Sequence, residues 1–388
     1  MNYFEQTKLG ESRWWSWIVV TWLAFLGWLV FQSILLIPLP FIGLATEPPL
    51  FDAFMSAATN VQRSETAQSF SQASLWLGVA ATLAVLISLI ATDEKARNNS
   101  AGIGGLAIVL CFITSVIAGR GTDQTEVMSI VTQLMGASPF AFALFLLTFP
   151  AGLIALYLSQ TKIHKRTLTS LHTAAKRFRW FRVLQGFLLT WIVLGGFSLI
   201  GNALGLFEVQ YVFNGGRFWI FALVSLLFIP LQSATEEIVF RGYFNQGLTH
   251  FLKSKWIVFT ITSFAFMALH LSNPEALDGA ASGTLPIVMS GYFFFGFAMC
   301  LVVWIDDGLE TAIGIHAGNN CFAAIIMNYE NSVLPTPSIF LTGTDPVKDS
   351  VSTIVVLGVL VAIIWFWRGG PKNHDPSASN DTRSIAGA

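Results

Sequence analysis

Ten apolar runs organise this chain, at 14–38, 71–91, 101–118, 138–158, 182–204, 217–240, 256–271, 284–305, 309–328 and 350–367. A helix needs about 20 mostly apolar residues to cross a bilayer. The pattern therefore defines an all-α, polytopic membrane protein of about ten spans. The third and seventh runs are short for full crossings. Charged residues make up 11% of the 388, against about 25% in a soluble domain. The 13 Trp and 34 Phe suit lipid-facing surfaces and interfacial belts. The first run is too long for a signal-peptide core of about 7–15 residues and reads as an uncleaved span. A net charge of −1 gives no bias towards nucleic acid. Cys111, Cys300 and Cys321 each sit in an apolar run, without metal-ligand or disulfide spacing.

Positive charge orients the spans. With the N-terminus in the cytoplasm, 16 of the 21 Lys and Arg fall in cytoplasmic segments, 4 fall outside, and Arg241 lies near the membrane. That is the expected inside bias, with both termini cytoplasmic. The basic loop 159–181 divides the chain. Residues 1–178 comprise an N-terminal membrane region of about four chemically plain spans plus that loop. Residues 179–330 form a bundle that holds nearly all the intramembrane polar residues, and 331–368 supply an external loop and the last span. The tail 369–388 is polar and rich in Pro, Gly and Ser, and reads as disordered. The segments 41–70 and 329–349 read as external connectors.

Ionisable residues inside hydrocarbon are costly and mark function by default. Three clusters occur here. Span six ends in Ser233-Ala234-Thr235-Glu236-Glu237-Ile238-Val239-Phe240-Arg241. Glu237 and Arg241 are i,i+4 and can pair on one helix face, while Glu236 points about 100° away without a local partner. Span seven closes on Phe266-Met267-Ala268-Leu269-His270, and span nine carries Gly314-Ile315-His316-Ala317-Gly318-Asn319-Asn320. His316 and Asn320 share a face, the small residues between them permit close helix approach, and Asn319 points elsewhere. Alone, each cluster has an ordinary reading: an interfacial helix end, a hydrogen-bonded structural histidine, an interhelical clamp. Depth links them. Glu236 lies 14 residues before His250 and His270 lies 14 after Trp256, which levels them about 21 Å from the intervening loop. The polar stretch 241–255 is expected to project into the cytoplasm, making the site shallower. His316 lies 7 residues past Leu309, about 10 Å in from the same face. The clusters can thus meet in one layer lining a polar cavity open to the cytoplasm.

Glu, two His and an Asn suit peptide-bond hydrolysis in two ways. In one, Glu236 and His270 hold and deprotonate a water while His316 and Asn320 stabilise the oxyanion, with Glu237–Arg241 as a buried brace. In the other, Glu236, His270 and His316 bind Zn²⁺, an accepted two-His, one-Glu catalytic set. The first uses Asn320 and the brace without strain, and no cofactor is favoured over it. Other intramembrane protease chemistries fit poorly. There is no HExxH, Asp306 and Asp307 are adjacent in a short cytoplasmic turn, and Gly196-Phe197-Ser198 is a weak GxS match.

Taken together, Glu236-Glu237-xxx-Arg241, Phe266-xxx-His270 and His316-xxx-Asn320 resemble the EExxxR, FxxxH and HxxxN pattern of the CAAX-protease and bacteriocin-processing (CPBP) family, also called the Abi or type II CAAX prenyl endopeptidase family. The flanking Arg241-Gly242-Tyr243 and Ala312-Ile313-Gly314-Ile315-His316-Ala317-Gly318 also match. The resemblance covers about 217–328. It implies an intramembrane endopeptidase with Glu236 as essential carboxylate, His270 as its partner, and His316 and Asn320 completing the site. It also implies a protein or peptide substrate, prenylated at a C-terminal CAAX box or bearing a leader, and a bacterial plasma membrane. The family is often labelled metallopeptidase although some members look metal-independent, so zinc stays open here. The competing class is a transporter, immunity protein or non-proteolytic scaffold, since polar intramembrane residues also line transport paths. Against a transporter, no inverted repeat is visible.

Overall fold

The computed structural model describes residues 1–59, 65–120 and 124–371. The tail expected to be disordered lies outside the described residues from position 372 onward. Helices form on all ten apolar runs: α1 Trp14–Leu36, α2 Glu65–Ile90, α3 Glu94–Arg120, α4 Pro139–Lys162, α5 Trp180–Ala203, α6 Gly215–Glu237, α7 Lys255–Leu269, α8 Leu285–Asp306, α9 Glu310–Ile325 and α10 Pro346–Arg368. Among the described residues eight helical runs are long and apolar enough to cross a membrane, α1 to α6, α8 and α10. The chain is an all-α, multi-pass integral membrane protein.

The other two differ from simple spans. The α7 helix breaks after Leu269, and the following helix, Pro274–Ser282, turns away from it by 88°. The α9 helix is only 16 residues long, and 13 of them are buried. It is a core helix enclosed by α5, α6 and α8 rather than a lipid-facing one. Its glycines explain how. A Cβ on Gly314 would overlap the Val183 carbonyl oxygen, and one on Gly318 would lie 2.9 Å from the Phe187 carbonyl oxygen. The α5 and α9 backbones touch at these two positions, as small residues allow in membrane bundles.

The near half of the stretch 241–255 is mostly buried in protein, while His250, Phe251 and Lys253 further along are exposed. The α6 helix passes into a π-helical turn at Ile238–Phe244 and a further helix, Asn245–Phe251. Arg241, Asn245 and Gln246 are buried in protein. The N-terminal turn Tyr3–Leu9 packs on this extension, with Gln246 Nε2 donating to the Tyr3 carbonyl oxygen at 3.2 Å. Polarity alone could not distinguish burial in protein from exposure to water. The segment expected as a plain connector at 329–349 contains β3, Phe340–Thr342. It pairs antiparallel with β1, Val209–Tyr211, and parallel with β2, Met327–Tyr329. Three-residue strands carry too little alternation to be read from sequence.

At the end of the bundle where the basic segments gather, Asp306, at the short turn between α8 and α9, is a buried hub. Its carboxylate meets Arg182 Nη1, Arg179 Nη2 at 3.5 Å and Arg368 Nε at 3.2 Å, and accepts from Thr311 Oγ1 at 2.7 Å. Arg179 also grips Glu310 through Nε at 2.9 Å and Nη2 at 2.6 Å. These contacts tie α5, α8, α9 and α10 together beneath the site. Asp306→Ala takes the carboxylate away from Arg182 and Arg368 and leaves Arg179 only Glu310. Deleting one member of a buried ionic cluster costs about 3–5 kcal/mol, and SDS unfolding in mixed micelles is expected to show a loss of that size.

Candidate active site

The site forms where α6, α7 and α9 face one another. The π-helical turn starts immediately after Glu237, a device common at functional sites because it re-aims side chains within a continuous helix. From Glu236 to Phe251 the helical path is 15 residues, about 22 Å.

Glu237 and Arg241 pair as expected, Oε1 to Nη1 at 3.1 Å, with side-chain exposures of 0% and 1%. The sequence did not reveal the third member. His316 Nδ1 lies 2.8 Å from the same Glu237 oxygen. An ionised carboxylate only accepts, so Nδ1–H is the donor and Nε2 faces the other way. There it lies 3.7 Å from Glu236 Oε2, a separation at which one water can bridge. His316 therefore sits between the two carboxylates.

Glu236 is not without a local partner. Gln232, one turn earlier, donates from Nε2 to Glu236 Oε1. Its Oε1 in turn accepts from Asn320 Nδ2 at 3.3 Å. Asn319, expected to point away, donates to Asn320 Oδ1 at 3.1 Å. This chain of amides joins the α6 carboxylate to the α9 asparagine and fixes which way each amide faces. A primary amide has two N–H donors, so Asn320 keeps one beyond its bond to Gln232. Gln232 escaped the sequence reading because a lone Gln in an apolar run carries no spacing signal of its own.

His270 closes α7. Its Nδ1 lies 2.8 Å from the Phe266 carbonyl oxygen, which accepts the proton and leaves Nε2 as the acceptor nitrogen. The Phe266 ring lies 4.5 Å from the His270 ring and 6.2 Å from that of His316, with the Arg241 guanidinium 4.3 Å over its face. The Phe of the second cluster is thus the floor on which the other groups rest. A cation over an aromatic face gains about 2 kcal/mol or more when desolvated.

Glu237 has no exposed side-chain surface, while Glu236 retains 13%. Glu236 Oε2 is buried without a hydrogen-bond partner among the described residues. As to the zinc alternative, no three His, Cys, Asp or Glu side chains among the described residues are arranged to hold a metal ion. Glu236, His270 and His316 are not gathered around one point as a ligand set in this arrangement.

Residues 216–322 match the family described as Type II CAAX prenyl endopeptidase Rce1-like. The matched stretch contains all three polar clusters and is consistent with the CPBP family. It is also similar to the "Uncharacterized protein YyaK" of Bacillus subtilis (strain 168), 25% identical over 281 residues, which are 71% of this chain and 90% of that protein. The aligned length exceeds the matched domain, so the likeness is not confined to it. No solved structure matches the chain.

Arg241→Met removes the cation that offsets Glu237 and the group that covers Phe266. A loss of about 3–5 kcal/mol is expected, as when one partner of a buried pair is deleted. The double variant with Glu237→Gln removes both charges and is expected to lose less than Arg241→Met alone. Unfolding curves of the three proteins check the order.

Proposed function

We propose that the chain is an intramembrane endopeptidase that hydrolyses membrane-associated protein or peptide substrates, of CAAX-box or leader-peptide type. The observation that carries this reading is the division between adjacent carboxylates. Each leaves its Oε2 without a hydrogen-bond partner among the described residues, but Glu237 is wholly buried and committed through Oε1 to Arg241 and His316, whereas Glu236 keeps 13% of its side chain exposed and turns Oε2 towards His316. That oxygen lies near a histidine nitrogen at 3.7 Å.

A water placed against Glu236 Oε2 and His270 Nε2 gives one proton to Glu236 as its oxygen attacks the scissile carbonyl carbon. The π electrons of the carbonyl move to its oxygen. The resulting oxyanion accepts from the remaining Asn320 N–H, with the His316 ring held beside it through the contact of Nδ1 with Glu237. When the tetrahedral intermediate collapses, the C–N bond breaks and Glu236 returns its proton to the leaving amine. Gln232 holds Glu236 and Asn320 in register, so the base and the oxyanion donor move as a unit. Enclosing these groups in protein strengthens each electrostatic contact.

The charge asymmetry of the loops supports cytoplasmic termini. Together with the Bacillus subtilis relative, it supports a bacterial plasma membrane as the setting. The substrate classes rest on the family's name and on the notion that an intramembrane site meets chains already held at the bilayer. Purified protein in proteoliposomes tests the reading with a farnesylated CAAX peptide and a panel of leader-bearing peptides. Glu236→Gln is expected to lower kcat by about 10²–10⁴-fold, the usual worth of a general base. Asn320→Ala is expected to lower it by about 10²–10³-fold, the worth of one oxyanion donor. Cleavage by Glu236→Gln at the wild-type rate contradicts the mechanism. Failure of the wild type on every peptide favours a scaffold or transporter of the same fold.

A further inference from the structure

We propose that Glu275, acting through Tyr292 and Asn273, is a positioning residue that locks the His270 ring in its working orientation. This rests on the hydrolytic reading above.

His270 stands in an exposed mechanical position. The α7 helix ends at Leu269, and the next helix departs at 88°. A side chain at a break lacks the following turn that would wedge a mid-helix residue in place. One side of the imidazole is covered by Phe266 of its own helix. The other is covered by Tyr292 of α8, whose ring stacks at 4.3 Å between centroids and 28° between planes. That stack fixes His270 only if Tyr292 is itself fixed.

Its hydroxyl supplies the answer. Tyr292 donates to Glu275 Oε1 and accepts from Asn273 Nδ2 at 2.8 Å. A phenol has a single O–H to give, and Glu275 receives it. Asn273 lies within the break and Glu275 lies on the helix beyond it. The plane of the Tyr292 ring is therefore tied to both sides of the hinge that carries His270. Tyr329 of β2 donates to the same Glu275 oxygen at 3.3 Å, which anchors the clamp to the sheet. Glu275 Oε2 is buried without a hydrogen-bond partner among the described residues. Burying a carboxylate is costly unless it is well satisfied, and a glutamine would accept both phenols without that cost. What the carboxylate adds is strength, because hydrogen bonds to an ionised acceptor are roughly twice as strong as neutral ones. A stiff clamp is what a catalytic histidine at a helix break requires.

The test uses the full-length protein in proteoliposomes and has two readouts. The first is kcat and KM on a farnesylated CAAX peptide. Tyr292→Phe keeps the ring and removes both hydroxyl bonds, and Glu275→Ala removes the anchor. Each is expected to lower kcat about 10- to 100-fold, as loss of near-attack geometry does, with KM little changed and the protein still folded at the assay temperature. Because both act through one path, the double variant is expected to be no worse than either single one. Glu275→Gln, which can still accept both phenols, is expected to recover part of the rate. Unchanged kcat, or losses that multiply in the double variant, overturns the proposal. The second readout needs no catalysis. It is the rate of carbethoxylation of His270 by diethyl pyrocarbonate, followed by mass spectrometry with His250 as internal reference. Tyr292→Phe is expected to speed His270 modification several-fold, and an unchanged rate overturns the clamp even if no peptide is cleaved. Glu236→Gln separates the two ideas: if it cleaves normally the hydrolytic reading fails, whereas if it is dead and Tyr292→Phe is normal only the clamp fails.

Discussion

A carboxylate with no exposed surface cannot stand alone inside a membrane protein, and the site is built around that constraint. Glu237 is held through Oε1 by Arg241 one helical turn away and by His316 from α9. The guanidinium is seated on the Phe266 ring of α7. One buried charge thus fixes the relative placement of three helices. It also orients His316, whose second nitrogen is turned towards Glu236 by the bond that its first nitrogen makes. Deep burial of an ion pair is weak evidence for stability but is well suited to specifying geometry. Here the geometry specified is that of the neighbouring carboxylate, which alone of the two keeps exposed side-chain surface.

A second level of order surrounds this centre. The α9 helix carries the histidine and asparagine inside a sheath of α5, α6 and α8, and its glycines bring it onto the α5 backbone. The arginine hub at Asp306 closes the bundle beneath it. Each feature addresses the same difficulty. Polar groups at membrane depth must be held by protein, because an unsatisfied group in hydrocarbon costs several kcal/mol.

Much of this was legible in the sequence, for identifiable reasons. Apolar runs of about 20 residues announce helices because nothing shorter crosses a bilayer. The i,i+4 spacing of Glu237 and Arg241 announces their pairing because helix geometry puts them on one face. Glycines flanking His316 signal close approach. What stayed hidden depends on contacts between segments distant in sequence. The bond from His316 to Glu237 spans 79 residues, and the bond from Asn320 to Gln232 spans 88. The burial of Arg241, Asn245 and Gln246 was missed because a polar stretch reads alike whether its partners are water or protein. The break beyond His270 was partly visible in Asn273-Pro274, since proline restricts the residue before it. The clamp that holds the break, from Glu275 through Tyr292, needs the fold to be seen.

The central claim is that water is activated by Glu236 and His270 rather than by a metal held between them and His316. Metal analysis of cleavage-competent protein, combined with cleavage in a strong chelator, tests it most directly. The account requires cleavage to continue at close to its original rate while bound metal stays far below one ion per chain. Stoichiometric zinc, with activity lost on chelation and restored by zinc alone, would contradict it and make Glu236, His270 and His316 ligands.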